Sequence, residues 1–184
     1  MAETDSHTAL PLPVLSPAPK LLIVCAPYYS AIAAGLIAGA EKTLSEAGAT
    51  YETVDVPGAL EIPTAVRLAE QGSGFEGYIA LGCVIRGETT HYETVCNDSS
   101  RGLMLLGVER GLCIGNGILT CETLAQAEDR ADPLRQNKGG GAAAAALHLI
   151  ALKRRFKFGQ GALTPPAGGD DILLAGDPGL GRTA

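Results

Sequence analysis

The chain contains no tryptophan, and aromatic residues make up 4% of its 184 positions. A core built from it must therefore be aliphatic and packed with small side chains. Positive charge is scarce as well: 14 Lys and Arg stand against 20 Asp and Glu, a formal charge of −6. A nucleic-acid binder carries a basic patch or stripe, and the basic cluster here is one short run, "KRRF" at Lys153–Phe156. Its place at the end of an expected helix is explained by the helix dipole, which favours cations there. No nucleic-acid partner is expected. No apolar run approaches the ~20 residues that span a bilayer, so no membrane partner is expected. The start, "MAETDSHTALPLPV", lacks the basic and apolar regions of a signal peptide.

The five cysteines, Cys25, Cys83, Cys96, Cys113 and Cys121, are odd in number and form no C-x-x-C. Cys25, Cys83 and Cys113 lie in apolar runs, where a free thiol behaves as a small hydrophobe. That usage fits a reducing cytoplasm and not a disulfide framework. Neither G-x-x-x-x-G-K-[ST] nor G-x-G-x-x-G occurs, which argues against a nucleoside triphosphate or a dinucleotide. No His/Cys/Asp cluster has metal-ligand spacing, and no G-x-S-x-G elbow is present.

What is present is a chain 46% hydrophobic, enough for one globular domain with a sizeable core. Residues 1–19 carry four prolines and no periodicity, as in a flexible arm. Residues 158–184 are rich in Gly and Pro and read as a disordered tail. The folded domain is expected at 20–157.

Within it, strand and helix patterns alternate. "KLLIVCA" and "GYIALGCVI" are continuous apolar runs, as in strands covered on both faces. "TYETVDV" alternates and suits a sheet edge, and "LCIGNGILT" is a fourth strand. Between them, Ile32, Leu36, Ala40 and Leu44 recur every fourth residue in a helix that Ser30 can cap and Gly48 can end. "EIPTAVRLAEQG" is a short helix. "HYETVCNDSSRGLMLLGVERG" is a long amphipathic one. "CETLAQAEDRA" and "GGGAAAAALHLIALKRRF" complete the set. The order predicts an α/β fold with a four-stranded parallel doubly wound sheet and helices on both faces, three layers α/β/α. Ligands of such sheets bind outside the carboxyl ends of the strands.

The third strand end, "GCVIRGETTHYE", is the richest in chemistry. Thr90 and Glu93 have the T-x-x-E spacing of a capping box. A helix N-terminus also offers free amides to a phosphate or carboxylate, and Gly87 lets the backbone approach one. A single phosphate on a small metabolite fits this best. His91, in the helix's first turn, can exchange protons near neutral pH; its plainer reading is an exposed surface histidine. Glu61 follows the turn at Gly58 and could bind a polyol or amine, or be a first-turn acid favoured by the dipole. Tyr28, at the first strand end, could stack on a flat heterocycle or simply cover core. Arg130 suits a phosphate or a helix C-cap, and Lys138 could do the same work or cap the last helix.

The segments "VPGALEIP", "ALGCVIRGETTHYETV", "GNGILT" and "NKG", in this order across residues 20–157, resemble the lumazine synthases of riboflavin biosynthesis. The resemblance implies a flavodoxin-like fold. It implies condensation of 5-amino-6-(D-ribitylamino)uracil with 3,4-dihydroxy-2-butanone 4-phosphate, giving 6,7-dimethyl-8-ribityllumazine, phosphate and water, with no cofactor or metal. By the same resemblance His91 transfers protons, Glu88 and Thr89 meet the butanone phosphate, and Arg130 binds its phosphate. Ala59, Leu60 and Glu61 match the segment that holds the ribityl chain and uracil. Cys83, Val84 and Ile85 match the pyrimidine lining, and Tyr28 the stacking aromatic. Each site lies between two subunits, with Asn116 from the neighbour. A homo-oligomer is implied, and riboflavin synthase as a partner. The family often has Phe at the Asn116 position and an Arg-Phe-Asn or Trp-containing triplet where this chain has "PYY". "DPLRQ" departs from the Gly-rich version of members that build icosahedral shells, which favours a free pentamer. A binding protein that kept the fold, and a phosphate-sugar enzyme using Lys138 as a Schiff-base amine, are the competing readings.

Overall fold

The computed structural model describes residues 10–72 and 74–158. Four strands alternate with helices in the order β1 (Lys20–Cys25), α1 (Ser30–Glu46), β2 (Thr50–Asp55), α2 (Glu61–Glu70), β3 (Gly77–Ile85), α3 (His91–Arg110), β4 (Cys113–Cys121), α4 (Leu124–Ala131) and α5 (Lys138–Phe158). All strands are parallel, in the order β2-β1-β3-β4. This is the flavodoxin-like doubly wound arrangement.

Strand alternation builds two cores. Leu21, Ile23 and Cys25 of β1, with Ile79, Leu81 and Cys83 of β3, face α1 and α5. Leu22, Val24, Tyr78 and Ala80 point to the other face and meet Ile62 and Val66 of α2 and Leu103 of α3. Because β1 and β3 are covered on both faces, they read as unbroken apolar runs. The alternating β2 lies at one edge, with all of its residues but Tyr51 exposed. At the other edge, β4 buries every second residue and exposes Asn116 and Thr120 between them.

The helix carrying the periodic Ile32, Leu36, Ala40 and Leu44 buries all four. Each such leucine or isoleucine contributes roughly 1.5–3 kcal/mol through its burial. The partner face is α5, where Ala143, Ala146, Leu147 and Ile150 are buried in the same cluster. The alanine run thus packs within the chain, against α1 and β4. Small residues allow this closeness. A Cβ on Gly139 would sit 2.7 Å from the carbonyl carbon of Leu36.

Three local expectations are corrected. Ser30 is already helical, and the N-cap position belongs to Tyr29, with no side-chain cap. A cap must precede the first helical residue, so the Ser30 hydroxyl comes one position late. Helix α3 is less amphipathic than its pattern suggested: only Ser99 and Leu103 are buried, while Met104 and Val108 are largely exposed. The T-x-x-E capping box does not form. Thr90 has helical angles, φ −68° and ψ −3°, and makes no side-chain cap. Its backbone is not the extended form that turns an N-cap hydroxyl onto the next amides.

The arm expected at 1–19 is described from residue 10 on, and there it lies against the fold. Leu15 is buried in the α1/α5-side core, and Arg154 donates to the Pro17 carbonyl at 2.7 Å. The tail expected to be disordered, apart from Phe158 at the end of α5, lies outside the described residues.

Candidate active site

The carboxyl ends of β1, β2 and β3 open onto one cavity of about 450 Å³. That volume is in the range of sites for small metabolites. Its walls come from three segments. After β1 stand Ala26, Tyr28 and Tyr29; after β2, the turn Pro57–Glu61; from the end of β3 onward, Cys83–Ile85, Gly87, Thr89, His91, Tyr92 and Val95. Nine of the residues singled out in the sequence are brought together here: Tyr28, Ala59, Leu60, Glu61, Cys83, Val84, Ile85, Thr89 and His91. Glu88 is exposed beside the cavity and does not line it.

Local structure explains each placement. Val56 donates its amide to Cys25 O at 2.8 Å, which brings the chain after β2 back beside β1. The chain then turns at Gly58, whose carbonyl accepts from Glu61 N at 3.2 Å. A Cβ on Gly58 would stand 2.9 Å from the Glu61 carboxylate, so the missing side chain leaves that carboxylate its position. Tyr28 is 76% exposed and meets Tyr29 edge to face at 5.0 Å. One face of its ring is therefore accessible for stacking. Cys83 belongs to the α1/α5-side core, as does Cys121. Burial is the main reason its thiol is pushed up to about 12, with Cys121 adding to it. The Cys83 thiol is thus neutral and no nucleophile; what this residue offers the cavity is backbone.

His91 is the first residue of α3 and is exposed on the cavity wall. Val95 lies one helical turn along, on the same face, which is why both line the cavity. The i, i+4 spacing from His91 was the sequence signal for Val95. Pro57 and Tyr92 also line the cavity without having been singled out for this site, and adjacency to Gly58 and His91 was the only hint.

Asn116 and Arg130 are not in this cavity. They line a second depression of about 300 Å³, together with Lys138, Thr120 and Gly141. Asn116 is held by its own strand, its Oδ1 accepting from Ile118 N at 3.0 Å. Arg130 donates to Gln126 O at 3.4 Å along α4. Within one chain, then, His91 and Arg130 belong to separate surfaces. Lys138 opens α5, after Asn137, whose side chain accepts from Gly140 N at 3.1 Å. Asn137, at φ 45°, is the residue that caps α5. Among the described residues no group of three His, Cys, Asp or Glu side chains is placed to hold a metal. Among them, too, no helix is long and apolar enough to cross a membrane.

A parallel doubly wound sheet with a histidine, a carboxylate and an accessible aromatic ring around a cleft at its carboxyl edge defines an α/β small-molecule enzyme. Comparison with known proteins narrows this. The family model for 6,7-dimethyl-8-ribityllumazine synthase matches residues 18–154. A 6,7-dimethyl-8-ribityllumazine synthase of Jannaschia sp. is 52% identical over 158 residues, 86% of this chain and 88% of that protein. One of Bartonella tribocorum is 56% identical over 139 residues, 75% of this chain and 92% of that protein. One of Novosphingobium aromaticivorans is 53% identical over 137 residues, 74% of this chain and 98% of that protein. The chain belongs to the 6,7-dimethyl-8-ribityllumazine synthase family.

Proposed function

We propose that the chain condenses 5-amino-6-(D-ribitylamino)uracil with 3,4-dihydroxy-2-butanone 4-phosphate to 6,7-dimethyl-8-ribityllumazine, phosphate and water, the penultimate step of riboflavin biosynthesis. The observation that carries the reading is His91 at the start of α3, facing the same cavity as Glu61 and Tyr28. The uracil's amino group attacks the ketone, and loss of water leaves a Schiff base between the two substrates. Phosphate is eliminated, and the second ring closes with loss of another water. These steps need protons moved at nitrogen, carbon and oxygen, and in this reading His91 moves them, which its position on the cavity wall supports. Tyr28 stacks on the pyrimidine, the Cys83–Ile85 backbone lines its edge, and Ala59–Glu61 hold the ribityl chain. Glu88 and Thr89 present amides near the α3 N-terminus to the phosphate. Purified protein given both substrates is expected to release phosphate and develop a lumazine absorbance band; no product above the spontaneous reaction would sink the assignment.

The site works between subunits in this reading. Asn116 and Arg130 share one surface away from His91, so a neighbouring chain supplies both together. Exposed apolar side chains on α2 and α3, Leu68, Met104, Leu105 and Val108, support assembly, because large apolar side chains left exposed are often covered by a partner. A homopentamer is the expected form, and sedimentation decides its size. Arg130→Ala is expected to raise KM for the butanone phosphate with little change in kcat. Coexpressed with His91→Ala chains, it should recover activity that neither variant shows alone at low substrate. An unchanged KM removes the role of Arg130, and absent recovery removes the shared site.

A further inference from the structure

At the amino ends of β3 and β4, the pole of the sheet away from His91, lies a further cavity of about 400 Å³. The last residues of α2 and α3, Glu70 and Arg110, and the second half of α5 surround it. Buried Tyr78 and Ile150 line it, with Leu112 and Phe75 half-buried beside them. Four cations, Arg110, Lys153, Arg154 and Lys157, stand there against two carboxylates, Glu70 and Glu76. Both carboxylates are engaged. Glu70 holds Arg67 at 2.5 Å and Arg110 at 3.2 Å. Glu76 accepts from Nε and Nη2 of Arg154 at 3.0 and 2.7 Å. Lys153, from the basic run "KRRF", meets no carboxylate among the described residues. Its Nζ donates to Gly111 O at 2.8 Å, which leaves two further N–H donors.

Tyr78 is 2% exposed, yet its hydroxyl makes no hydrogen bond among the described residues. Buried polar groups are normally paired, so a donor left open on a cavity wall points to a ligand. Burial, and after it the Glu70 carboxylate, push the phenol up from its ordinary range, so it stays protonated and able to donate. We propose that this cavity is a second ligand site and that it takes a small aromatic carboxylate. The carboxylate accepts from the Tyr78 hydroxyl and the Lys153 ammonium, and the ring covers Leu112 and Ile150. An apolar lining with a few convergent polar groups is the usual form of a small-molecule site, and the volume suits one. A bare inorganic anion would leave the apolar lining facing water. The site is independent of the reaction proposed above, because none of its residues lines the His91 cavity.

The test is calorimetric titration of the full chain with 2-naphthoate and with its neutral amide, 2-naphthamide. Saturable binding of the naphthoate is expected, with the amide about 10-fold weaker or worse, since hydrogen bonds to a charged acceptor are the stronger kind. Tyr78→Phe keeps the ring and its packing and should weaken naphthoate about 5-fold. Lys153→Gln should weaken it about 10-fold, while Lys153→Arg, which keeps the charge, should bind within about 3-fold of wild type. Tyr28→Ala and Arg130→Ala, both away from this pole, should leave the affinity unchanged. Absence of saturable binding overturns the site. So does wild-type affinity in Tyr78→Phe or in Lys153→Gln, or equal affinity for naphthoate and naphthamide. Loss of binding in Tyr28→Ala or Arg130→Ala would place the naphthoate in the other cavity or depression and overturn it as well. If Tyr78→Phe does not fold, the exposed Lys153 decides alone: Gln and Arg variants of equal affinity reject the site.

Discussion

His91→Ala is expected to slow turnover by roughly 10- to 100-fold, at or below the low end of the usual general acid–base contribution. In the proposed reaction the effect is bounded because the Schiff base joins the two substrates to each other. The protein's task is to hold them and to move protons, and the cavity survives the substitution. The change also leaves the fold intact. His91 is exposed at the first position of α3, and alanine is the better helix former. The loss should therefore appear in kcat, with KM for the butanone phosphate little altered and the melting temperature unchanged. The pattern is opposite to that of Arg130→Ala, and measuring both parameters for both variants separates proton transfer from phosphate binding. A kcat equal to wild type would mean that another group, or solvent, carries the protons.

The second large effect is on stability. Gly115→Ala would place a Cβ within 2.7 Å of the Ala142 carbonyl carbon, closer still to its oxygen. Gly139→Ala would do the same against the Leu36 carbonyl carbon at 2.7 Å. Both obstacles are backbone, so no rotamer change relieves them. Helix α5 would have to lift from β4 or from α1, opening the cluster that holds Leu36, Leu147 and Ile150. Overpacking of this kind costs about 3 kcal/mol, which for a domain of this size lowers Tm by roughly 6–12 °C. Gly72→Ala is the control, because nothing lies within 4 Å of its Cβ position. Equal melting temperatures for all three variants would mean that α5 does not approach β4 and α1 so closely.

Most of the scaffold was legible in the chain. The unbroken runs at β1 and β3 announced strands covered twice, and the alternation at β2 announced an edge. The four-residue spacing of Ile32, Leu36, Ala40 and Leu44 named the buried face of α1. These features were readable because period and burial are direct consequences of strand and helix geometry. Caps were less so. Ser30 and the Thr90/Glu93 pair each fit a capping pattern, and neither caps. The Arg86 guanidinium pairs with Glu93, seven residues on, and with Glu122, 36 on, and local spacing says nothing of such pairing.

The sequence alone determined the layers, the strand count, and the presence of His91, Glu61 and Tyr28 at strand ends. Each follows from local periodicity and from the rule that parallel strands carry their ligand groups at one edge. Only the tertiary structure decided that α5 closes the chain's own core through Gly115 and Gly139. It alone drew Glu93 to Arg86, and it alone set Asn116 and Arg130 on a surface apart from His91. The physical reason is common to all three. Close backbone approach, choice of ion-pair partner and the grouping of distant residues depend on how elements dock, and docking depends on shape in three dimensions, which no single segment encodes.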